Sequence, residues 1–518
     1  MRTAAIAMTL SVAGLAISAE VERAASVPAL GADSSDRPVE YTELVHHCEP
    51  LDATGLLTGS LVPIEIRINP TEDLSPVVGV EQIRPLPGQV GGQFPAGGAG
   101  RMPFNPNRID VVFVGDGYLS SELGTYATQV DGFADDMFRY EPYTSYRPLF
   151  QIHRVDVVSN ESGVDNDPTL GVDRDTALDM RYWCNDIERL LCVSVSKAQA
   201  FANTAPDVDL VIALANSSKY GGAGYSSSDL GTLTAGNPLA ADIVIHEAGH
   251  ALGNLADEYD YGGPSTYVGG EPGESNVSTF DATEMLQREQ KWHRWLGEDF
   301  GPFDGPIGTY EGARYSQFEI YRPSDNGMMR SLNRPFNLQN AEATIIEFYQ
   351  LVDVIDTHTP NDQPVAGCET LVVEHVEPLT GSVQVDWFAN SVQVASNTDA
   401  IDLCGVGLAP GPYRIEAIVT DNTDWVRDEI ARRDHMQQTI AWTVLVPQAC
   451  LADLSSPADP GVPDGVLTGA DFFEFLSRFQ AGDLSVDFSS PTAPGVADGV
   501  LTGADFFEFL DLFSQGCN

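Results

Sequence analysis

The chain has 518 residues, 43% of them hydrophobic, which is enough for several domains with sizeable cores. Its 75 acidic and 27 basic residues give a formal charge of −48. Such a surface repels phosphate backbones, which sets nucleic-acid binding aside and suits a solvated extracellular protein.

Arg2, the apolar run Ala4 to Ile17 and the small pair Ser18-Ala19 read as a signal peptide over 1–19. The run is too short to span a bilayer comfortably, and no later stretch is long and apolar enough to do so. A secreted or cell-surface bacterial protein without a transmembrane segment in the mature chain is therefore expected. Residues 20–107 read as linker and a small β region. Within them Leu61 to Ile68 alternates like a strand, and 86–107 is rich in Gly and Pro. Ile109–Val114 is a β-branched core strand, turned by Gly115-Asp116-Gly117-Tyr118. Ser120 or Ser121 with Glu122 then opens a helix running toward Phe138. Phe150–Val158 and Val208–Leu214 are further strands. The Gly-rich stretch Tyr220–Tyr225 is either a substrate-facing edge or a flexible turn.

Next comes His246-Glu247-Ala248-Gly249-His250, an H-E-x-x-H string after the small apolar run Ala240 to Ile245. A helix puts residues i and i+4 on one face, so both imidazoles can hold one zinc with Glu247 beside them. Gly253 is expected to end the helix in a left-handed conformation. The metzincin pattern has a third His three residues after this Gly; here that position is Ala256, followed by Asp257 and Glu258. Carboxylate oxygen also binds zinc. Asp257 is the expected third ligand, with Glu258 the alternative; the other acid is expected to hold an imidazole from behind. Met285–Leu296, with Trp292, His293 and Trp295, reads as a helix packing its tryptophans, and His293 as structural. A tyrosine in Tyr310–Tyr315 either stabilises an oxyanion or packs in the core. Ser324-Asp325-Asn326-Gly327-Met328-Met329-Arg330 resembles a Met-turn, with Met329 the floor residue and Met328 close behind. Glu342 to Ile355 closes a zinc domain spanning 108–360.

Residues 365–447 alternate in short strands separated by turns and suggest a β-sandwich. The tail, 450–518, is a tandem repeat: the segment Asp464 to Leu476 recurs as Asp498 to Leu510, and Asp453 recurs as Asp487. The D-G-x5-D spacing matches the second half of an EF-hand loop, making Asp453, Asp464, Asp471, Asp487, Asp498 and Asp505 candidate calcium ligands. Extra residues between Asp453 and Asp464 break the first half of that pattern, and paired helical hairpins without metal are the other reading. Among seven cysteines, proximity suggests Cys184–Cys192, Cys368–Cys404 and Cys450–Cys517. Cys48 is then free or pairs with another molecule; a zinc-blocking role is open to it, with no flanking motif in support.

Residues from about Ile109 to Ile355 resemble the IgA-peptidase family of secreted bacterial zinc metallopeptidases, which is metzincin-like. The likeness rests on Asp116-Gly117-Tyr118, Glu161-Ser162-Gly163-Val164, the zinc helix with its Ala256-Asp257-Glu258-Tyr259 extension, and Tyr321-Arg322-Pro323. It implies His246 and His250 as ligands, Asp257 or Glu258 as the third, and Glu247 as the acid/base. The tail resembles dockerin modules of a variant ending in Gly516-Cys517, which implies attachment to a partner or cell surface.

The expected architecture is an α/β (α+β) zincin-like catalytic domain, an all-β sandwich and a small helical EF-hand-like tail. The expected function is a secreted zinc endopeptidase acting on protein or peptide substrates. Zinc with three protein ligands keeps a fourth position for water and lowers its pKa to about 7, and Glu247 takes that proton. Two alternatives remain: a catalytically silent adhesion or scaffold protein docked by a calcium-binding tail, and a zinc hydrolase acting on non-peptide amides.

Overall fold

The computed structural model describes residues 37–50, 56–83, 104–260, 265–446 and 450–516. The signal peptide expected at 1–19 and Cys517 lie outside the described residues, as does most of the linker expected at 86–107. The chain forms two compact units, Met1–Leu351 and Val352–Asn518.

The first unit carries strands β1 (Val39–Pro50), β2 (Leu57–Ile68), β3 (Val77–Ile83), β4 (Ile109–Asp116), β5 (Phe150–Val157), β6 (Leu210–Ala215), β7 (Gly222–Tyr225) and β8 (Leu230–Thr234). They make one sheet in the order β2-β1-β7-β8-β6-β4-β5-β3. Its middle is parallel, β8 to β6 to β4 to β5. β4 and β6 are buried along their whole length, as their mostly apolar sequences require of strands covered on both faces; Asp110 and Asp116 of β4 are the exceptions, and His153 and Thr176 bond them inside. The N-terminal β segment does not stand apart as the sequence suggested. It supplies both margins: the β1–β2 hairpin pairs with β7 through His46 and Gly224, and β3 pairs with β5. In β2 the alternation is direct, with Val62, Ile64, Ile66 and Ile68 buried and Pro63, Glu65 and Arg67 exposed.

Helices α1 (Leu123–Asp136), α2 (Tyr143–Tyr146), α3 (Val195–Ala202), α4 (Ala240–Gly253), α5 (Ala282–Arg288) and α6 (Leu338–Leu351) complete this unit, with the small hairpin β9 (Tyr310–Ala313) and β10 (Ser316–Arg322). α1 begins one residue after Glu122, whose Oε2 accepts the Leu119 N–H at 2.8 Å, so neither Ser120 nor Ser121 caps it. The helix expected over Met285–Leu296 is split. α5 ends at Glu289 in a left-handed conformation, and a separate turn, His293–Trp295, follows, with Trp292 and Trp295 buried. The closing helix starts earlier than expected, at Leu338, and Ile355 instead opens a strand. Cys184 and Cys192 form a disulfide.

The second unit contains β11 (Ile355–His358), β12 (Val365–Ala366), β13 (Thr370–His375), β14 (Val383–Ala389), β15 (Val392–Ser396), β16 (Ala400–Asp402), β17 (Gly411–Asp421) and β18 (Gln437–Val446). They form two sheets, β11-β13-β16 and β12-β18-β17-β14-β15. Trp387 and Trp442 stack within it, 5.5 Å between ring centroids, and Cys368–Cys404 joins the connection between β12 and β13 to the segment that follows β16. Between the strands lie the short helices α7 (Leu403–Val406) and α8 (Glu429–His435). The repeats form α9 (Gly469–Ala481) and α10 (Gly503–Gln515), whose Phe475 and Phe509 stack at 4.1 Å.

Candidate metal centre

α4 packs against β7, β8 and α6 and is buried over nearly its whole length, so its polar residues need partners within the protein. The left-handed residue that ends it is Asn254 (φ 47, ψ 41), not Gly253 as the sequence suggested. Asn tolerates this conformation. Gly253 is the last helical residue, and it is small for a packing reason: a Cβ there would lie 2.6 Å from Thr344 Oγ1 of α6.

The turn at Asn254 sends the chain back past the histidines. His250 Nδ1 lies 2.7 Å from the Leu255 carbonyl, and His246 Nδ1 lies 3.1 Å from the Met328 carbonyl. A carbonyl only accepts, so each Nδ1 carries the proton and each Nε2 presents a lone pair. The two Nε2 atoms are 3.2 Å apart, and each is 3.2 Å from Asp257 Oδ1. That oxygen is buried and accepts no hydrogen bond. Three lone-pair atoms therefore face one another at equal spacing. Tetrahedral zinc bound at about 2.0–2.1 Å sets its ligands about 3.3–3.4 Å apart, so the triangle has the size of one zinc coordination face.

The surrounding charges also call for a cation. Burial pulls the His250 imidazole down, but Asp257 and Glu247 outweigh it and raise it to about 9. Burial alone would raise the Asp257 carboxyl; the adjacent His250, with the His246 and His46 rings beside it, holds it well below the usual carboxylate range.

The other oxygen of Asp257 is fixed from outside. Asp257 Oδ2 accepts a hydrogen bond from Tyr315 Oη, and His46 Nδ1 lies 3.1 Å from both. Tyr315 reaches this point because Arg314 and Tyr315 form the two-residue turn between β9 and β10, both with positive φ. Their N–H groups bond the Asp257 and Tyr259 carbonyls at 3.0 Å, clamping the ligand segment. Glu258 faces elsewhere. Its carboxylate accepts from Asn276 Nδ2 at 3.0 Å and Asn337 Nδ2 at 3.1 Å, so it does not hold an imidazole as the sequence suggested. The histidines are held from behind by main-chain carbonyls instead.

Glu247 lies beside the triangle. Its Oε1 is 3.6 Å from Cys48 Sγ, and its Oε2 is buried without a partner. Gly224 makes room for it, since any Cβ there would overlap Oε2. Burial pushes the Cys48 thiol well up, and the nearby Glu247 and Asp257 carboxylates push it further.

Beneath the helix, the Met328 and Met329 side chains are fully buried. The Met329 carbonyl accepts the Glu258 N–H at 2.8 Å. A Cβ on Gly249 would meet Met329 Sδ at 2.7 Å, so the glycine inside H-E-x-x-H lets this methionine lie against the helix. Gly249→Ala is expected to overpack this contact and lower stability by about 1–3 kcal/mol, checked by urea denaturation.

Other candidates lie elsewhere. His293 Nδ1 contacts the Gln290 carbonyl, and Tyr310 Oη bonds the Pro306 carbonyl. In the tail, Asp471 Oδ1 accepts the N–H groups of Leu454 and Ser455, and Oδ2 that of Thr468. Asp505 repeats this with Phe488, Ser489 and Thr502. Asp453 and Asp487 accept from the residues at Asp464-Gly465 and Asp498-Gly499. These carboxylates tie the loops to the helices, and among the described residues no metal-sized group of ligands occurs in the tail.

Sequence reasoning missed His46 and held Gly224 only within a stretch read as a substrate-facing edge or a flexible turn, of which Gly222–Tyr225 is β7. It left Cys48 free or paired with another molecule; the residue is free and buried. The only local signal was His46-His47-Cys48, which puts two metal-capable side chains two residues apart, on one face of a strand.

No curated protein matches the chain. Residues 103–306, which contain α4 and Asp257 but not β1–β3 or the Met328–Met329 segment, match the family model of IgA Peptidase M64, and this similarity supports an IgA-peptidase-like metallopeptidase.

Proposed function

We propose that the first unit is a zinc-dependent endopeptidase of zincin type. The observation that carries this reading is the triangle of His246 Nε2, His250 Nε2 and Asp257 Oδ1 at 3.2 Å, with the unpartnered Glu247 carboxylate beside it. Zinc held there supplies a Lewis acid and lowers the pKa of bound water to about 7.

The rest falls to the chain's own residues. The Leu255 and Met328 carbonyls fix both imidazoles as Nε2 ligands. Tyr315 and His46 orient Asp257 by holding its second oxygen. Glu247 takes the proton from the attacking water and delivers it to the leaving amine. Met329 supports the helix from below.

Zinc content and cleavage of a mixed peptide pool test this together. One zinc per chain and chelator-sensitive cleavage are expected. Glu247→Ala should keep its zinc and lose about 10²–10⁴-fold in kcat. Full zinc with no cleavage by any form would turn the reading toward a binding protein, and no zinc would remove the mechanism.

The same proposal places the mature protein outside the cell, with the two sheets of the second unit as a sandwich-like accessory module and the tail as its docking element. Calcium in that tail would have to compete with the N–H groups that Asp453 and Asp471 already accept. Titration of the full chain with calcium, against Asp453→Ala, tests it: two equivalents carry the calcium reading and none removes it.

A further inference from the structure

We propose that β1 holds this centre in a latent state, with Cys48 Sγ as the group that fills the open metal position; the proposal rests on the peptidase reading above. A peptidase must admit an extended chain to its metal, yet here His246, Glu247, His250 and Asp257 are all buried. Against them lie two side chains of the chain's own β1, His46 and Cys48. That strand runs antiparallel to β7 with His46 opposite Gly224, on the side of the sheet where Glu247 fills the space left by that glycine. The His46 ring stacks on His250, 4.2 Å between centroids. Two residues on, Cys48 points to the same side. Its sulfur, a His246 ring nitrogen and a Glu247 oxygen lie within 4.8 Å of one another.

The cysteine does not stand alone in this argument. Glu247 Oε2 and Asp257 Oδ1 are both buried without a hydrogen-bond partner, Oε2 on the carboxylate that Cys48 faces and Oδ1 between the two imidazoles, so the site has room for one more group, and Cys48 supplies it. On coordination the sulfur–metal bond forms, the water in that position leaves, and the thiol proton passes to Glu247 Oε1, the acceptor Cys48 already faces. One contact then removes both the water and the free base. The hairpin is anchored well enough to stay. β1 and β2 are paired along twelve residues each, and Leu57 N–H bonds the Arg330 carbonyl at 3.0 Å. Activation requires β1 to withdraw from β7.

The test uses the full chain loaded with cobalt(II) in place of zinc, read by near-ultraviolet absorption. A thiolate-to-cobalt band is expected in the wild type and should vanish in Cys48→Ser while cobalt stays bound. Zinc-loaded Cys48→Ala should cleave the peptide pool about tenfold faster or more in kcat/KM than wild type. In unmodified wild type, which guards against misfolded variants, iodoacetamide should label Cys48 slowly with metal bound and faster after chelation. Full cobalt occupancy without the band overturns the proposal, and so does a band with no gain in rate on removing Cys48. A band in a protein of which no form cleaves peptides overturns the peptidase reading and leaves the sulfur ligand in place.

Discussion

Asp257→Ala is expected to strip the centre of its metal, while Glu258→Gln leaves it fully loaded. The two acids are neighbours of the same chemical type, so only position separates them. Asp257 Oδ1 closes the triangle with both Nε2 atoms, and its removal leaves the two imidazoles without the carboxylate that completes it. Losing a group that merely orients a ligand costs about 10–100-fold in metal affinity, so losing a ligand should cost more than about 100-fold. Glu258 is spent on the Asn276 and Asn337 side-chain amides. Burial raises its carboxyl above the ordinary range. Glutamine keeps one acceptor there and turns the other toward amide donors, a cost of about 1–3 kcal/mol in stability with no direct effect on the metal. Metal content after dialysis against a competing chelator, with a urea melt of each variant, separates the two. Zinc retained by Asp257→Ala and lost by Glu258→Gln would invert the assignment.

That pair also shows how far the sequence reached. The helix that bears His246 and His250 was legible because its signal is local: two histidines four apart on an apolar helix meet by helical geometry alone. The strands Ile109–Asp116 and Leu210–Ala215 were legible for a similar reason, since a short, mostly apolar run with β-branched residues at its centre has few other fates. The two disulfides formed within the described residues join cysteines near in sequence. The choice between Asp257 and Glu258 was not local. Successive residues in an extended chain point to opposite sides, and the hairpin turn at Arg314–Tyr315 decides which side faces the metal. His46 and Cys48 lie some two hundred residues from the histidines, and only the pairing of β1 with β7 brings them there. Gly253 misled for a different reason. A glycine near a helix end reads as a terminator, but this one makes room for Thr344.

Gly224→Ala should silence the enzyme about as thoroughly as loss of its base, although Gly224 bears no functional group. The added Cβ would overlap Glu247 Oε2, and its backbone is held by pairing with β8 on one side and β1 on the other. The flexible carboxylate is the part that must yield. None of the three ligand atoms lies in the way, so zinc should remain stoichiometric while kcat falls by about 10²–10⁴-fold, the usual worth of a positioned general base. Simple misfolding would also lower activity, and a double variant distinguishes the two. If Gly224→Ala acts only by displacing Glu247, then Gly224→Ala with Glu247→Gln should be no slower than Glu247→Gln alone, because a base already absent cannot be displaced again. Independent losses that multiply would place the damage elsewhere. The same loss should persist when Cys48 is also alanine, since freeing the metal position does not return the carboxylate to it.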